Sequence, residues 1–435
     1  MNAAPRETAV RPHAMVKETD VDTTPAVEAP PRRRFSTFSS LRYRDYRYLW
    51  LAQIGRAAAM WMEQIARPVL ILQLTDSALL VGLVVAARMA PQLLFGLLAG
   101  VAADRFDRKR ILLLAQWATL SFHFLTAALV LTGVVQTWHV FALAFVTGTS
   151  MVFSQTARQS LIPQIVPKEE LLNAVALNTA ALNLMRILGP GLASLILFSD
   201  NVGPVYLVSG TFGVGVIVCL SLVRIRHQPR PVEDQASWLD DLREGLRFVV
   251  HQPVVLAVLG PPLIMFVFGL PYLGVFVPLF AKKVLDLGDS GVGALFMAAG
   301  AGALIGSLIM ASQTRLRRRG LLLLAFLAIF SGGLILFSRT TYLPLSIVLL
   351  MGAASMSTSY MALTNSLLLE LSPPDMHGRV MSLMSLDRGL VPLGAIVAGA
   401  LASRLGPQDG LLIMAGVCLA LTAIAAVFAP VLRRL

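Results

Sequence analysis

The chain reads as an all-α integral membrane protein: twelve transmembrane helices arranged as two six-helix pseudo-repeats. Three observations carry that expectation. Hydrophobic residues make up 56% of the 435 residues and charged residues only 14%, with a mean hydropathy of +0.72, and a soluble protein of this size needs far more charge to cover its surface. Twelve apolar stretches follow one another, each about long enough to cross ~30 Å of hydrocarbon as a helix. Landmarks of the first half then recur in the second at one offset. Transmembrane sheets are excluded, because the runs are too long for barrel strands and do not alternate.

Residues 1–40 are Pro-rich, Ala-rich and charged, with no apolar core. They read as a disordered cytoplasmic tail and not as a signal peptide. Leu41 to Trp50 is a basic, aromatic ramp of the kind that sits at a membrane interface. The spans are expected at 48–74, 78–102, 111–133, 138–160, 173–198, 203–223, 253–280, 291–313, 320–337, 342–368, 379–402 and 410–431. Segments 41–226 and 253–435 form the two six-helix bundles in this reading. Residues 227–252 join them, first as a polar, Pro-containing linker. An amphipathic helix follows, with Trp238, Leu239, Leu242 and Leu246 opposite Asp240, Asp241, Arg243, Glu244 and Arg247.

The net charge is 36 − 24 = +12. In a soluble chain that would suggest nucleic acid, but here the basic residues cluster beside apolar stretches, as topology signals and contacts for anionic lipid. Arg105 to Arg110 lie between spans 2 and 3, Arg224 to Arg247 between 6 and 7, and Arg315 to Arg319 between 8 and 9, while the alternate loops carry little. Both termini are therefore expected in the cytoplasm of a multi-pass protein of the inner or plasma membrane. Cys219 and Cys418 lie inside apolar segments, so neither a disulfide nor a metal site is indicated.

The halves are in register. Gly96 and Gly100 recur as Gly302 and Gly306, an offset of 306 − 100 = 206, and Gln159-Ser160-Leu161 and Pro167 recur at the same offset as Asn365-Ser366-Leu367 and Pro373. Parallel repeats of six helices point to a transporter. Gly96 and Gly100 have the spacing that lets two membrane helices approach backbone to backbone. Asp104, one turn on, suits the positive N-terminal end of another helix.

From these residues on, the sequence resembles the major facilitator superfamily over nearly all of 41–431. Gly100 to Arg110, with Asp104, Arg105 and Arg108, is similar to that family's cytoplasmic motif G-x-x-x-D-R-x-x-R-[KR]. In the second half Met310 stands where the Asp would fall. Arg186-Ile-Leu-Gly189-Pro190-Gly191 resembles the Gly-Pro motif of the family's exporters, although Ala193-Ser194 replaces the usual small pair. Ala157-Arg158 through Pro163, with Val166-Pro167 through Asn178, is similar to the branch that includes enterobactin exporters and macrolide efflux proteins. The resemblance implies that helices 1, 4, 7 and 10 line a central cavity, that 2, 5, 8 and 11 meet between the halves, and that 3, 6, 9 and 12 lie outside.

Charge inside the membrane costs on the order of 2.5–3.5 kcal/mol per group on insertion scales, so Arg56, Glu63, Arg67, Arg88, Arg158, Arg186, Asp387 and Arg388 must face one another, water or a substrate. Arg56, Glu63 and Arg67 fall within about 40° on one helix face. They are expected to line the cavity, with Glu63 as first and Asp387 as second candidate proton carrier. Thr147, Ser150, Ser154 and Arg158 form a polar stripe on span 4. Phe266, Gly269, Tyr272 and Phe276 form an aromatic wall on span 7, kinked at Pro271. Arg88, Arg186, Asp387 and Arg388 are assigned to ion pairs between the halves, and Asp104 with Arg379 to a cytoplasmic latch. Gly189-Pro190 weakens helix 5 where the halves rock.

No phosphate-cradling G-x-x-x-x-G-K-[ST] loop occurs, so an ion gradient is the expected drive. The reading is a proton-coupled, monomeric efflux transporter of a small amphipathic molecule, siderophore-like, macrolide-like or another drug or metabolite, without a cofactor. A lipid flippase, a non-transporting sensor and an importer on the same scaffold are the competing readings. An enzyme would need a base at depth, and the deep histidine candidate, His123, falls on a helix expected to be peripheral.

Overall fold

Among the described residues, hydrophobic segments separated by short polar turns fold into helices. The computed structural model describes residues 38–224, 247, 249–313, 318–373, 376–377, 380–381, 383–384, 389–428, 431 and 433, without the side chains of Leu97, Asp104, Gln159, Ser160 and Pro253. The helices are α1 (Arg44–Thr75), α2 (Ala78–Arg105), α3 (Arg108–Leu131), α4 (Thr137–Ile165), α5 (Leu171–Leu197) and α6 (Gly203–Leu222). Then come α7, α8 (Gly288–Ser312), α9 (Arg319–Arg339), α10 (Leu343–Leu371), α11 (Val391–Leu405) and α12 (Pro407–Phe428). In α7 two α-helical pieces, Pro253–Ile264 and Val277–Lys283, flank π-helical turns at Met265–Gly269 and Tyr272–Phe276. Ten of the described helices are long and apolar enough to cross a membrane. The other two are α1, which is 32 residues long but carries Arg56, Glu63 and Arg67, and α11, described over 15 residues.

Local chemistry ends the helices where the polar turns begin. Asp76 closes α1 in the left-handed region at φ 50°, which an Asp tolerates better than most residues. Ser77 then caps α2 by accepting from the Leu80 N–H. Asp107, inside the basic turn, caps α3 by accepting from the N–H groups of Lys109 and Arg110. Lys109 reaches across and donates to the carbonyls of Ser221 (2.9 Å) and Val223 (2.7 Å), satisfying the end of α6. At α7 the sequence predicts one kink at Pro271. The structure has a π turn on either side of it, and the Leu270 N–H donates to the Met265 carbonyl at 2.8 Å, five residues back. The expected span 379–402 is also interrupted, because a turn at 389–390 precedes α11.

Within Phe38–Leu435, which forms one compact unit, α1 packs on α5 and α6, α2 on α4, and α3 on α4 and α6. Further along the chain α8 packs on α10, α9 on α10 and α12, and α11 on α12. The most extensive pairings that cross between these groups are α2 with α11 and α5 with α8. Glycine decides how close they come. A Cβ on Gly82 of α2 would stand 2.9 Å from the Gly399 Cα of α11, and one on Gly293 of α8 would stand 2.7 Å from the Pro190 carbonyl of α5.

Among the described residues, the expected close approach at Gly96 and Gly100 is absent. A Cβ on Gly96 would meet only Gln92 of its own helix, at 3.4 Å, and one on Gly100 would find nothing within 4 Å. Their counterparts Gly302 and Gly306 do lie against backbone, at the carbonyls of Met351 and Ser355 on α10.

Candidate functional site

Spacing alone puts Arg56, Glu63 and Arg67 on one face of α1; the neighbours of that face give it its chemistry. Glu63 and Arg67 form an ion pair one helical turn apart, each only 4% exposed. Arg67 also donates to the Thr147 hydroxyl of α4 at 3.2 Å. The second Glu63 oxygen faces the Arg88 guanidinium of α2 at 3.8 Å and Nε2 of His123 on α3 at 3.7 Å. The ring of His123 lies 6.3 Å from that of Tyr206 on α6. One carboxylate is thus shared by two arginines and one histidine, held by five helices. Removing the carboxylate from this group would leave two buried cations uncompensated.

This arrangement corrects two expectations. Glu63 does not line a passage between the halves but points into the interior of α1–α4 and α6. Arg88 turns the same way and makes no described ion pair between the halves. Sequence periodicity places residues on a common face without saying which helix that face meets. His123, set aside as peripheral, is 2% exposed and neither ring nitrogen has a hydrogen-bond partner. Its signal in the sequence is a histidine in the middle of an otherwise apolar span.

Below this cluster the same face of α1 meets more positive charge. Arg158 of α4 is 3% exposed and donates to the Leu49 carbonyl at 3.3 Å. Leu49 lies seven residues before Arg56, almost directly beneath it on the helix. Arg56 is half-buried and donates to the Gln53 side chain at 3.1 Å. Arg186 of α5 sits over the Trp61 ring, 5.5 Å from its centroid, a cation–π arrangement. Gly189, one turn on, allows the contact of α5 with α1: a Cβ there would stand 2.8 Å from the Trp61 Cβ. Pro190 is buried beside it.

The aromatic wall expected on α7 is packed away. Tyr272 and Phe276 are almost fully buried, and Tyr272 meets Phe330 of α9 edge-on at 5.6 Å. Bulky rings on a π-distorted helix fill the space against the next helix before they line anything open. Around the basic turn Arg105 is exposed, and Arg108 donates to the Ala103 carbonyl at 3.0 Å. The Asp104 side chain and residues Arg379, Asp387 and Arg388 lie outside what is described, and with them the proposed latch.

A second polar group is built from loop charges that the sequence shows only as sparse topology signals. Where α1, α7 and α8 turn, Asp289 pairs with Lys282 at 2.6 Å and accepts from the Gln73 amide of α1. Lys283 pairs with Asp76 at 2.9 Å. Nearby, the Ser194 hydroxyl of α5 donates to the Ser290 carbonyl at 2.6 Å. These links between the N-terminal and C-terminal helices gather at one end of the molecule, with the Gly82–Gly399 contact. Gly96 and Gly100 lie toward the other end.

A family model described as a transmembrane secretion effector matches residues 35–434. The multidrug efflux pump Tap of Mycolicibacterium fortuitum is 27% identical over 398 residues, which cover 88% of this chain and 95% of that protein. The enterobactin exporter EntS of Shigella boydii is 29% identical over 299 residues, covering 66% of this chain and 70% of that one. Among solved structures, the nucleoside transporter NupG superposes with a TM-score of 0.74 at 11% identity, covering 88% of this chain and 99% of its own. A D-xylose-proton symporter superposes with a TM-score of 0.70 at 14% identity, covering 92% and 100%. With the match running almost end to end, the chain belongs to the major facilitator superfamily, as a membrane transporter of its efflux branch and not an enzyme.

Proposed function

We propose that this chain exports a small amphipathic molecule across the inner or plasma membrane by alternating access, driven by the proton gradient. In this reading α1 and α11 span the membrane with the other ten helices, both termini are cytoplasmic, and α1–α6 rock against α7–α12. The observation that carries it is the one-sided seam. Polar links and glycine contacts join the two groups of helices at the end opposite the basic turns, while Gly96 and Gly100 meet no partner helix among the described residues at the other. That is the form expected of one of two states, open toward the basic turns. Export is favoured because relatives across most of the chain are named as a multidrug efflux pump and an enterobactin exporter.

Proton coupling rests on Glu63. Its carboxylate is the one buried acid in α1–α6 among the described residues, and Arg67, Arg88 and His123 all face it. Taking a proton at Glu63 releases these cations, so protonation and rearrangement of the five helices are linked. The test is uptake of enterobactin and of fluorescent drugs into inverted vesicles after an acid-inside pH jump, normalised to folded protein. Wild type should accumulate at least one probe, a protonophore should abolish it, and Glu63→Gln should uncouple it. Accumulation that survives the protonophore would refute proton drive, and undiminished coupling in Glu63→Gln would remove Glu63 from it.

A further inference from the structure

The charged side chains set away from the ends of α1–α6 do not balance. Arg56, Arg67, Arg88, Arg158 and Arg186 stand against Glu63 alone among the described residues, 5 − 1 = +4 with His123 neutral. Arg67 and Arg88 share the carboxylate, and Arg186 rests on the Trp61 ring. Arg56 and Arg158 have no acidic partner: they spend their charge on the Gln53 amide and the Leu49 carbonyl, both neutral. They lie within electrostatic reach of each other. The Nε of Arg158 is buried and makes no hydrogen bond.

Two cations held close in a membrane interior, with donors left over, must meet water or an anion, and an anion that joins them also offsets their charge. Arg56 is the half-buried member and gives access.

We propose that Arg56 and Arg158 form the docking site for the acidic group of an anion, and that this transporter handles substrates carrying a carboxylate or sulfonate. The forked guanidinium donors suit such a group better than a lysine would. The inference rests on the exporter reading for the word substrate, but the site itself is tested without transport.

The experiment measures binding to the full-length protein in nanodiscs, with empty nanodiscs subtracted. Two fluorescent probes are compared: 1-anilinonaphthalene-8-sulfonate and N-phenyl-1-naphthylamine, which differ by the sulfonate. Wild type should bind the anion saturably and about tenfold or more tightly than the neutral probe, the loss expected when one charge-assisted hydrogen bond is missing. Arg56→Gln and Arg158→Gln should each weaken the anion about tenfold and leave the neutral probe within about twofold. Arg433→Gln, at the exposed C-terminal end, should change neither. Equal affinity of wild type for the two probes overturns the proposal even if the variants fail to fold, and so does an unchanged affinity in folded Arg56→Gln and Arg158→Gln. No anion preference with gradient-driven efflux intact would remove this site and leave the exporter reading standing. Anion binding without efflux would do the reverse.

Discussion

Replacing Gly82 by alanine places a methyl group where α2 and α11 touch backbone to backbone. The added Cβ would stand 2.9 Å from the Gly399 Cα and closer still to the Ala395 carbonyl. Both are backbone atoms, so no side chain can swing aside and the helices must separate. Overpacking of this kind costs about 1–3 kcal/mol, which shifts an equilibrium between two arrangements about 5–150-fold. Gly100→Ala is the matched control, because its Cβ meets nothing within 4 Å and costs this arrangement nothing. Pulsed EPR reads the shift in a background freed of Cys219 and Cys418. One nitroxide pair would be placed at Val134 and Tyr342, on the linked end, and another at Phe106 and Leu369 on the opposite end, all four exposed. Under alternating access Gly82→Ala lengthens the first distance and shortens the second, while Gly100→Ala leaves this state's distances in place. Unchanged distributions in Gly82→Ala, or the same change in both variants, would refute the idea that the glycine seam holds this state.

Two further outcomes follow from the geometry. Glu63→Ala leaves Arg67 and Arg88 buried without their carboxylate, which costs about 3–5 kcal/mol. The thermal unfolding midpoint in detergent should fall sharply, and adding Arg67→Ala should restore part of the loss; a midpoint equal to wild type would mean the pair is not buried in solution. Lys109→Ala strips the end of α6 of two charge-assisted hydrogen bonds, worth about 1 kcal/mol or less at this partly exposed site. Amide exchange over 217–223 should quicken while exchange in α3 stays unchanged.

The membrane class, the all-helical build and the transporter family are legible in the sequence, because hydropathy, charge asymmetry and motif spacing are properties of the chain read in one dimension. Helix ends are legible for a similar reason: Ser77 and Asp107 cap the helices that their own neighbours begin. The common face of Arg56, Glu63 and Arg67 is legible too, being set by 3.6 residues per turn.

Tertiary structure alone decided what that face meets. Each helix can rotate about its axis without changing its hydropathy, and contacts far apart in sequence choose the rotation. That choice brought His123 and Arg88 to Glu63 and set Arg158 beneath Arg56. It also turned Tyr272 toward Phe330. It separated Gly302 and Gly306, pressed on α10, from Gly96 and Gly100, which share their spacing and meet no partner helix among the described residues. Small residues permit a close approach in any arrangement, but only the packing of the other helices determines where it occurs.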